Sequence, residues 1–410
     1  MNDTAATYSL LSAAAVRERA HRMLAAGLDG NLANFAIDLG KLDATAEMVL
    51  ATTRAAYPSL DVPFHSRWRH FVIGGVDRFA RLAAAARWPD KAARARAAFD
   101  LAIISVFLDA GAGPDWRYRD AVTGQAIGRS EGLALASLDM FARGAFSARA
   151  DDPLRVDAEV LAGLTAQALS DGFQVSNTNP LVGLDGRAAL LRALGQLARG
   201  NPAVFAGQDS ARPGGLYDHF AAMTGTGALA APAILSSLLR ELGPVWPSRL
   251  SLANVSLGDC WRHAAITAPD ATDGLMPLHK LSQWLAYSLI EPLQDAGIVV
   301  ADIDGLTGLA EYRNGGLFVD TGVLTLRDPR QAEIAHDVGS ELVVEWRALT
   351  VALLDRLAAS LRIKLGMDAT RLPLAKILEG GTWATGRAIA RSRRPDASPP
   401  IKVVSDGTVF

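Results

Sequence analysis

A helix with two unlike faces, neither of them suited to water, is the strongest constraint this chain places on its own fold. From His279 to Asn314 it reads HKLSQWLAYSLIEPLQDAGIVVADIDGLTGLAEYRN. Helical spacing over Lys280–Glu291 puts Lys280, Trp284, Tyr287 and Glu291 on one side and Leu281, Leu285 and Leu289 on another. A solvent-facing helix rarely carries Trp and Tyr between its charges, so the first face is expected to wall a pocket. The alternative is a helix buried on both sides, with Lys280 and Glu291 reaching outward along their apolar stems. Either way the helix needs neighbours on more than one side, and the rest of the chain must supply them.

It does so mainly with other helices. Apolar positions at helical spacing predict helices over Leu10–Met23, Leu42–Ala56, Asp90–Phe107, Glu131–Ala142, Ala158–Ala168 and Arg187–Leu197. Another follows in GTGALAAPAILSSLLREL, and two more span Pro329–Leu365 and Arg371–Arg394, the last broken at Gly380-Gly381. Strand-like runs are few: Ile298–Ala301, Leu317–Leu326 and Ile401–Phe410, the last with a hairpin turn at Ser405–Thr408. The fold class is therefore mainly α with minor β hairpins, and no internal repeat stands out. The run ARADDP at Ala148–Pro153 is the one candidate for an internal boundary in an otherwise single unit.

Composition narrows the partners. Hydrophobic residues make up 50% of the 410 and charged residues 20%, enough apolar surface for a large core and too little charge for disorder. The 41 basic and 43 acidic residues nearly cancel, which leaves no electrostatic footprint for nucleic acid or an anionic membrane. No uncharged apolar run is long enough to span a bilayer, and the N-terminus lacks the pattern of a signal peptide. The single Cys260 excludes an intramolecular disulfide or a thiolate zinc cage, so a cytoplasmic location is expected. The seven histidines form no HxH or HxxxH pair, and although His65, His70 and His263 could converge in space, no metal or other cofactor is expected.

Several polar groups sit where burial is expected. Asp304 suits the N-cap of a helix over Gly305–Asn314 that ends at Gly315-Gly316. Glu311 would then lie near its C-terminus and oppose the helix dipole at a cost of about 0.3–1 kcal/mol, a conflict that Lys280 or Arg313 would relieve. The Asp90–Phe107 helix grows more apolar toward its end and finishes in LDAGAGPDW, delivering Asp109 and Trp116 into the interior. In SRWRHF, Arg67 and His70 interleave with aromatics and are suited to grip an anion; the alternative is surface arginines beside core aromatics. Arg129 precedes Ser130, a plausible N-cap, and either supports an anion at the exposed amides or is solvated. Arg387 follows Gly380-Gly381-Thr382, a second place where a helix is expected to begin. The Gly-Thr-Gly at Gly225–Gly227 is no nucleotide signature, because neither GxGxxG nor GxxxxGK[ST] is present.

The segments SRWRHF, FLDAGAGPDWRY, GRSEGLALAS, DGLMPLHKLSQWLAYSLIEPL, GLTGLAEYRNGGLFVDTGVL, LEGGTWATGRAIA and PPIKVVSDGTVF together resemble the uracil-catabolism protein four family along nearly the whole chain. The core is more distantly similar to the queuosine-salvage nucleosidases, helical enzymes with a DNA-glycosylase-like architecture. Their active-site lysine begins a helix and their catalytic aspartate follows in an ADYR word. The resemblance maps these onto Lys280 in HKLSQ and Glu311 in AEYR, with Glu in place of Asp, and maps Asp109 and Trp116 to the pocket. What it implies is hydrolysis of the N-ribosyl bond of a ribosylurea or its 5′-phosphate, giving urea and ribose or ribose 5-phosphate. Glu311 would stabilise charge developing on the sugar. Lys280, His279 or Asp273 would protonate the urea, with Trp284, Tyr312 and Arg313 lining the site and Arg67, His70, Arg129 and Arg387 available to a phosphate. An amidohydrolase acting on the ureido group and a non-catalytic binding protein are the alternatives.

Overall fold

The structure is a computed structural model that describes residues 3–109, 111–206, 210–225, 227–246 and 250–404. Helices build the core, and the described strands are short and pair two at a time. The Lys280–Asp295 helix is the centre of the molecule. Every residue from Leu281 to Ile290 is buried, against the Lys91–Phe107 helix on one side and the Ala231–Glu241 helix on another. The single polar face expected of it is thus split. Tyr287 enters the core and donates its hydroxyl to Thr307 O at 2.9 Å, while Glu291, at the far end, takes Arg69 and Ser66 as partners. Only Lys280 and Trp284 share a cavity.

The other main frame is the Glu341–Leu365 helix, which packs against the Ala13–Leu28, Leu42–Ala56 and Tyr312–Asp320 helices. It begins at Ser340, whose Oγ accepts from Val343 N, so the helix expected from Pro329 starts later; before it lie a 3₁₀ turn and the Ala335–Asp337 strand. That strand pairs in parallel with Lys402–Val404 and holds the C-terminal segment against the body. Leu317–Leu326 is likewise mixed: the Tyr312–Asp320 helix takes its first half, and Leu324–Leu326 pairs antiparallel with Phe35–Ile37. The minor β content therefore includes long-range and parallel pairs as well as hairpins. The Ser405–Thr408 turn lies outside the described residues.

Local capping accounts for the remaining differences. Ser12 caps Ala13–Leu28 by accepting from Ala15 N at 3.2 Å and so divides the expected Leu10–Met23 helix. Thr165 does the same after Gly163, giving Ala158–Ala162 and Ala166–Gly172 in place of one helix. Gly380-Gly381 neither breaks nor begins a helix. The pair is absorbed in a wide π turn, Leu378–Thr382, that runs into Trp383–Arg393. A Cβ on Gly381 would meet Thr53 Oγ1 at 2.5 Å and Val49 Cγ1 at 2.6 Å, so glycine there serves close packing on the Leu42–Ala56 helix rather than an anion. Residues on both sides of Ala148–Pro153 belong to one continuous apolar cluster.

Candidate active site

The largest departure from the sequence reading falls on Glu311. Gly305–Asn314 is not a helix: Ile303–Gly305 makes one 3₁₀ turn, and the chain then runs without regular structure to Ala310. Thr307 fixes that run to the central helix. Gln283 Oε1 accepts from Thr307 N at 2.9 Å, Gln283 Nε2 donates to Thr307 Oγ1, and Tyr287 donates to Thr307 O. The helix that follows begins at Tyr312, and Glu311 is its N-cap, accepting from Arg313 N at 2.7 Å and Asn314 N at 2.6 Å. The carboxylate therefore sits at the positive end of a helix dipole instead of opposing a negative one. Gly315, expected to end a helix, lies in the first turns of this one, where a Cβ would come within 2.8 Å of Trp346. Asp304 caps nothing here; its Oδ1 accepts from Arg362 Nη2 and Leu374 N.

A buried guanidinium sets the start of the lysine helix relative to this cap. Arg347 Nη1 and Nη2 fork onto Asp259 at 2.9 and 2.8 Å, and its Nε donates to Ala310 O at 3.1 Å, next to Glu311. Asp259 Oδ2 in turn accepts from Lys280 N at 3.0 Å, which fixes the first residue of the helix. Burial opposes the Asp259 charge, but Arg347 pulls its pKa down to about 2, so the fork stays ionic at neutral pH. Lys280 differs in kind: among the described residues its ammonium makes no hydrogen bond or ion pair. Burial pushes its pKa below the ordinary lysine value, only partly offset by Asp109 and Glu311. Burial likewise pushes the Glu311 carboxyl up, against the pull of the two amides and Lys280.

These groups line a cavity of about 330 Å³. Lys280, Glu311, Asp109, Trp284, Tyr312, Arg313, His70, Arg129 and Arg387 all face it. Arg67 stands directly behind. Fully buried, it pairs with Asp109 at 2.9 Å, donates through Nε to Ser105 Oγ at 2.7 Å and through Nη1 to His70 Nδ1 at 3.2 Å. Its work is to hold Asp109, together with Ser130, whose Oγ donates to Asp109 Oδ1 at 2.5 Å. The cap that Ser130 was expected to provide falls to Gly128, which leaves its hydroxyl for this contact.

Three expected residues lie elsewhere. Trp116 is wholly buried, its Nε1 donates to Phe173 O at 2.9 Å, and its ring packs on Phe173 and under Gly132. It anchors the loop after the Lys91–Phe107 helix and does not line the cavity. We predict that Trp116→Ala costs about 3–5 kcal/mol in chemical denaturation. Asp273 is exposed and closes a turn by accepting from Ala268 N. His279, at φ 46, donates from Nε2 to Leu10 O at 2.9 Å, and burial pushes its pKa down. Neither reaches the cavity, so neither can protonate a leaving group there.

His70 faces the cavity in a defined state. Nδ1 lies 3.2 Å from Arg67 Nη1 and 3.0 Å from Ser130 Oγ; a guanidinium can only donate, so the neutral ring is expected to carry its proton on Nε2. Burial and the Arg67 charge push its pKa down to about 4. Its ring signals are expected to show no titration between about pH 5 and 8, with the Nε2–H tautomer throughout, in ¹⁵N NMR of the imidazole; a midpoint near neutrality would contradict this arrangement.

Sequence reasoning missed Glu379 and gave His65 only a metal role. His65 Nδ1 lies 2.7 Å from Glu379 Oε2, and the ring packs at a tilt against Trp284 with centroids 4.7 Å apart, opening onto the same cavity as His70. His263 sits apart, 3.5 Å from Glu345, and among the described residues no cluster of three or more His, Cys, Asp or Glu is placed to hold a metal. Glu131 and Trp383 also line the cavity, around Arg387. No short motif joins His65 to Glu379, so only the fold could reveal the pair. The Trp284 Nε1–H, buried in the cavity wall, has no partner among the described residues.

Comparison with known proteins gives the chain its relatives. A family model described as "Protein of unknown function (DUF1688)" matches residues 9–410. The chain belongs to this family. Within it, Protein urg3 of Schizosaccharomyces pombe (strain 972 / ATCC 24843) is 40% identical over 411 residues, covering 98% of each chain. Uracil catabolism protein 4 of Lachancea kluyveri is 37% identical over 416 residues, covering 93% of each. The DUF1688 cavity described above is therefore built by a chain that aligns with these relatives over nearly its full length. No described helix is long and apolar enough to cross a membrane.

Proposed function

We propose that this protein acts in uracil catabolism as an N-ribosyl hydrolase, releasing urea from a ribosylurea-type intermediate. The name of the Lachancea kluyveri relative, Uracil catabolism protein 4, supports the pathway. The observation that carries the reaction class is the pairing of an uncommitted ammonium, Lys280, with a helix-capping carboxylate, Glu311, in one cavity of about 330 Å³. A charged pair kept from direct contact inside a protein costs stability and is retained where a ligand completes it.

Cleaving the bond between the anomeric carbon and the urea nitrogen builds positive charge on the sugar and negative charge on the leaving nitrogen. Glu311, fixed by two backbone amides, stabilises the former electrostatically and orients the attacking water. The water oxygen bonds to the anomeric carbon and its proton passes to the carboxylate. Lys280 is an apt donor to the departing nitrogen, because burial lowers its pKa and makes its proton easier to give. Trp284 Nε1–H and the Nε2–H of His70 offer hydrogen bonds to the urea carbonyl, and Asp109, held by Arg67 and Ser130, is available to the sugar hydroxyls.

The test incubates purified protein with N-ribosylurea and its 5′-phosphate and measures urea, ammonia and reducing sugar together. Urea with sugar in equal amounts supports the hydrolase. Ammonia without sugar would place the protein among amidohydrolases, and no product with either compound would leave a binding role.

A further inference from the structure

The arginines in and directly behind the cavity are of two kinds. Arg67 and Arg387 each hold a carboxylate, Asp109 and Glu131, both at 2.9 Å. Arg129 and Arg313 hold none among the described residues. Their hydrogen-bond partners are backbone carbonyls of the C-terminal segment: Asp396 O at 3.4 Å for Arg129 and Ala397 O at 2.9 Å for Arg313. Arg313 is buried and its Nε lacks a partner; the Nε of Arg387 is buried and unpartnered as well. Arg129 and Arg387 both stand close enough to Arg313 to disfavour its charge. All three line one cavity. Gathering like charges in a partly desolvated wall is unfavourable unless a counter-anion joins them, and each guanidinium keeps most of its five donors free for one.

Resting on the hydrolase reading above, we propose that Arg129, Arg313 and Arg387 form a subsite for a phosphate monoester, so that the substrate is the 5′-phosphorylated ribosylurea. A phosphate monoester carries roughly −1.5 to −2 charge at pH 7, which matches the two guanidiniums that have no carboxylate. A monoanionic carboxylate would leave one of them uncompensated. The remaining cationic candidates are set apart by place and bonding: Arg67 is fully buried behind the cavity lining, where it binds Asp109, Ser105 and Ser130, and the Nδ1 of His70 is taken up by Arg67 and Ser130. Arg387, though paired with Glu131, has its Cζ 5.2 Å from the centre of the Trp383 ring, and Arg313 lies 5.0 Å from that of Tyr312, so each guanidinium is within cation–π range of an aromatic wall.

Calorimetry on the full chain, with ribose 5-phosphate, ribose and inorganic phosphate as probes, reads the subsite without requiring turnover. Ribose 5-phosphate is expected to bind at least about a hundredfold more tightly than ribose, and inorganic phosphate to compete with it. Arg129→Gln, at an exposed residue, and Arg313→Gln are each expected to narrow the ratio of ribose 5-phosphate to ribose affinity about tenfold or more. Equal affinity for ribose and its phosphate in the unaltered protein overturns the proposal, as does a ratio that Arg129→Gln leaves unchanged. The two readings fail separately. Tight ribose 5-phosphate binding with no urea release keeps the subsite and removes the hydrolase. Equal kcat/KM on N-ribosylurea and its phosphate keeps the hydrolase and removes the subsite.

Discussion

Glu311→Gln is expected to lower kcat for urea release by about 10²–10⁴-fold. The substitution preserves size and removes the charge on which the proposed transition state depends. It also alters the cap, because in the same pose the glutamine turns an NH2 donor toward one of the two backbone N–H groups that Glu311 now satisfies with separate oxygens at 2.7 and 2.6 Å. An unsatisfied buried amide costs about 1–3 kcal/mol, so some loss of stability should accompany the loss of rate. Glu311→Asp separates the two effects. Aspartate is a favoured N-cap and should keep the fold close to its original stability, yet it draws the carboxylate back by one methylene. A misplacement near 1 Å can cost about 10²-fold in rate. Wild-type turnover in Glu311→Gln, measured as urea and sugar released by folded protein, would remove Glu311 from the mechanism whatever the substrate.

How much of this site was legible in the sequence can be judged from Lys280 and Glu311 themselves. Their arrival in one cavity was expected, since the helix carrying Lys280 had to be buried and Glu311 was an acid with no surface role. The reason given for Glu311 was nevertheless inverted. Asp304 and Gly315-Gly316 imitate the two ends of a helix, and only the tertiary bonds from Gln283 and Tyr287 to Thr307 pull that run out of helical form and shift the helix one segment along. Local propensity cannot foresee such bonds, because the partners belong to another element. Trp116 shows the same limit in the other direction. An aromatic after a buried helix looks like a pocket wall, yet burial alone does not say which side faces the void. Arg347, which ties Asp259 to Ala310 and thereby sets Lys280 relative to Glu311, lies in the middle of a long helix where nothing local distinguishes it from a surface arginine. The helical frame was easier to read, because the helix period repeats over many residues. Its errors fell at Ser12, Thr165 and Ser340, where one side-chain cap decides where a helix begins.

Lys280→Met should move stability and activity in opposite directions. Lys280 is half-buried, its ammonium near Asp109 and Glu311 but bonded to neither, and its depressed pKa is the mark of a charge held at a cost. Methionine fills nearly the same volume without that cost, so the variant is expected to gain about 1–3 kcal/mol in urea denaturation at pH 7. The gain carries a pH signature. The folded protein gives up the Lys280 proton at lower pH than the unfolded chain does, so between those two pKa values the unfolded state binds more protons and stability rises with pH. Replacing the lysine abolishes that rise, and the advantage of the variant should shrink toward about pH 10, where the unfolded lysine also loses its charge. Activity should fall by about 10²–10⁴-fold, because the leaving urea loses its donor. A variant that is less stable than the original protein would show that the ammonium has a stabilising partner, and one that keeps its rate would move the proton donor to another group in the cavity. The two measurements together test whether this lysine is there for the fold or for the ligand.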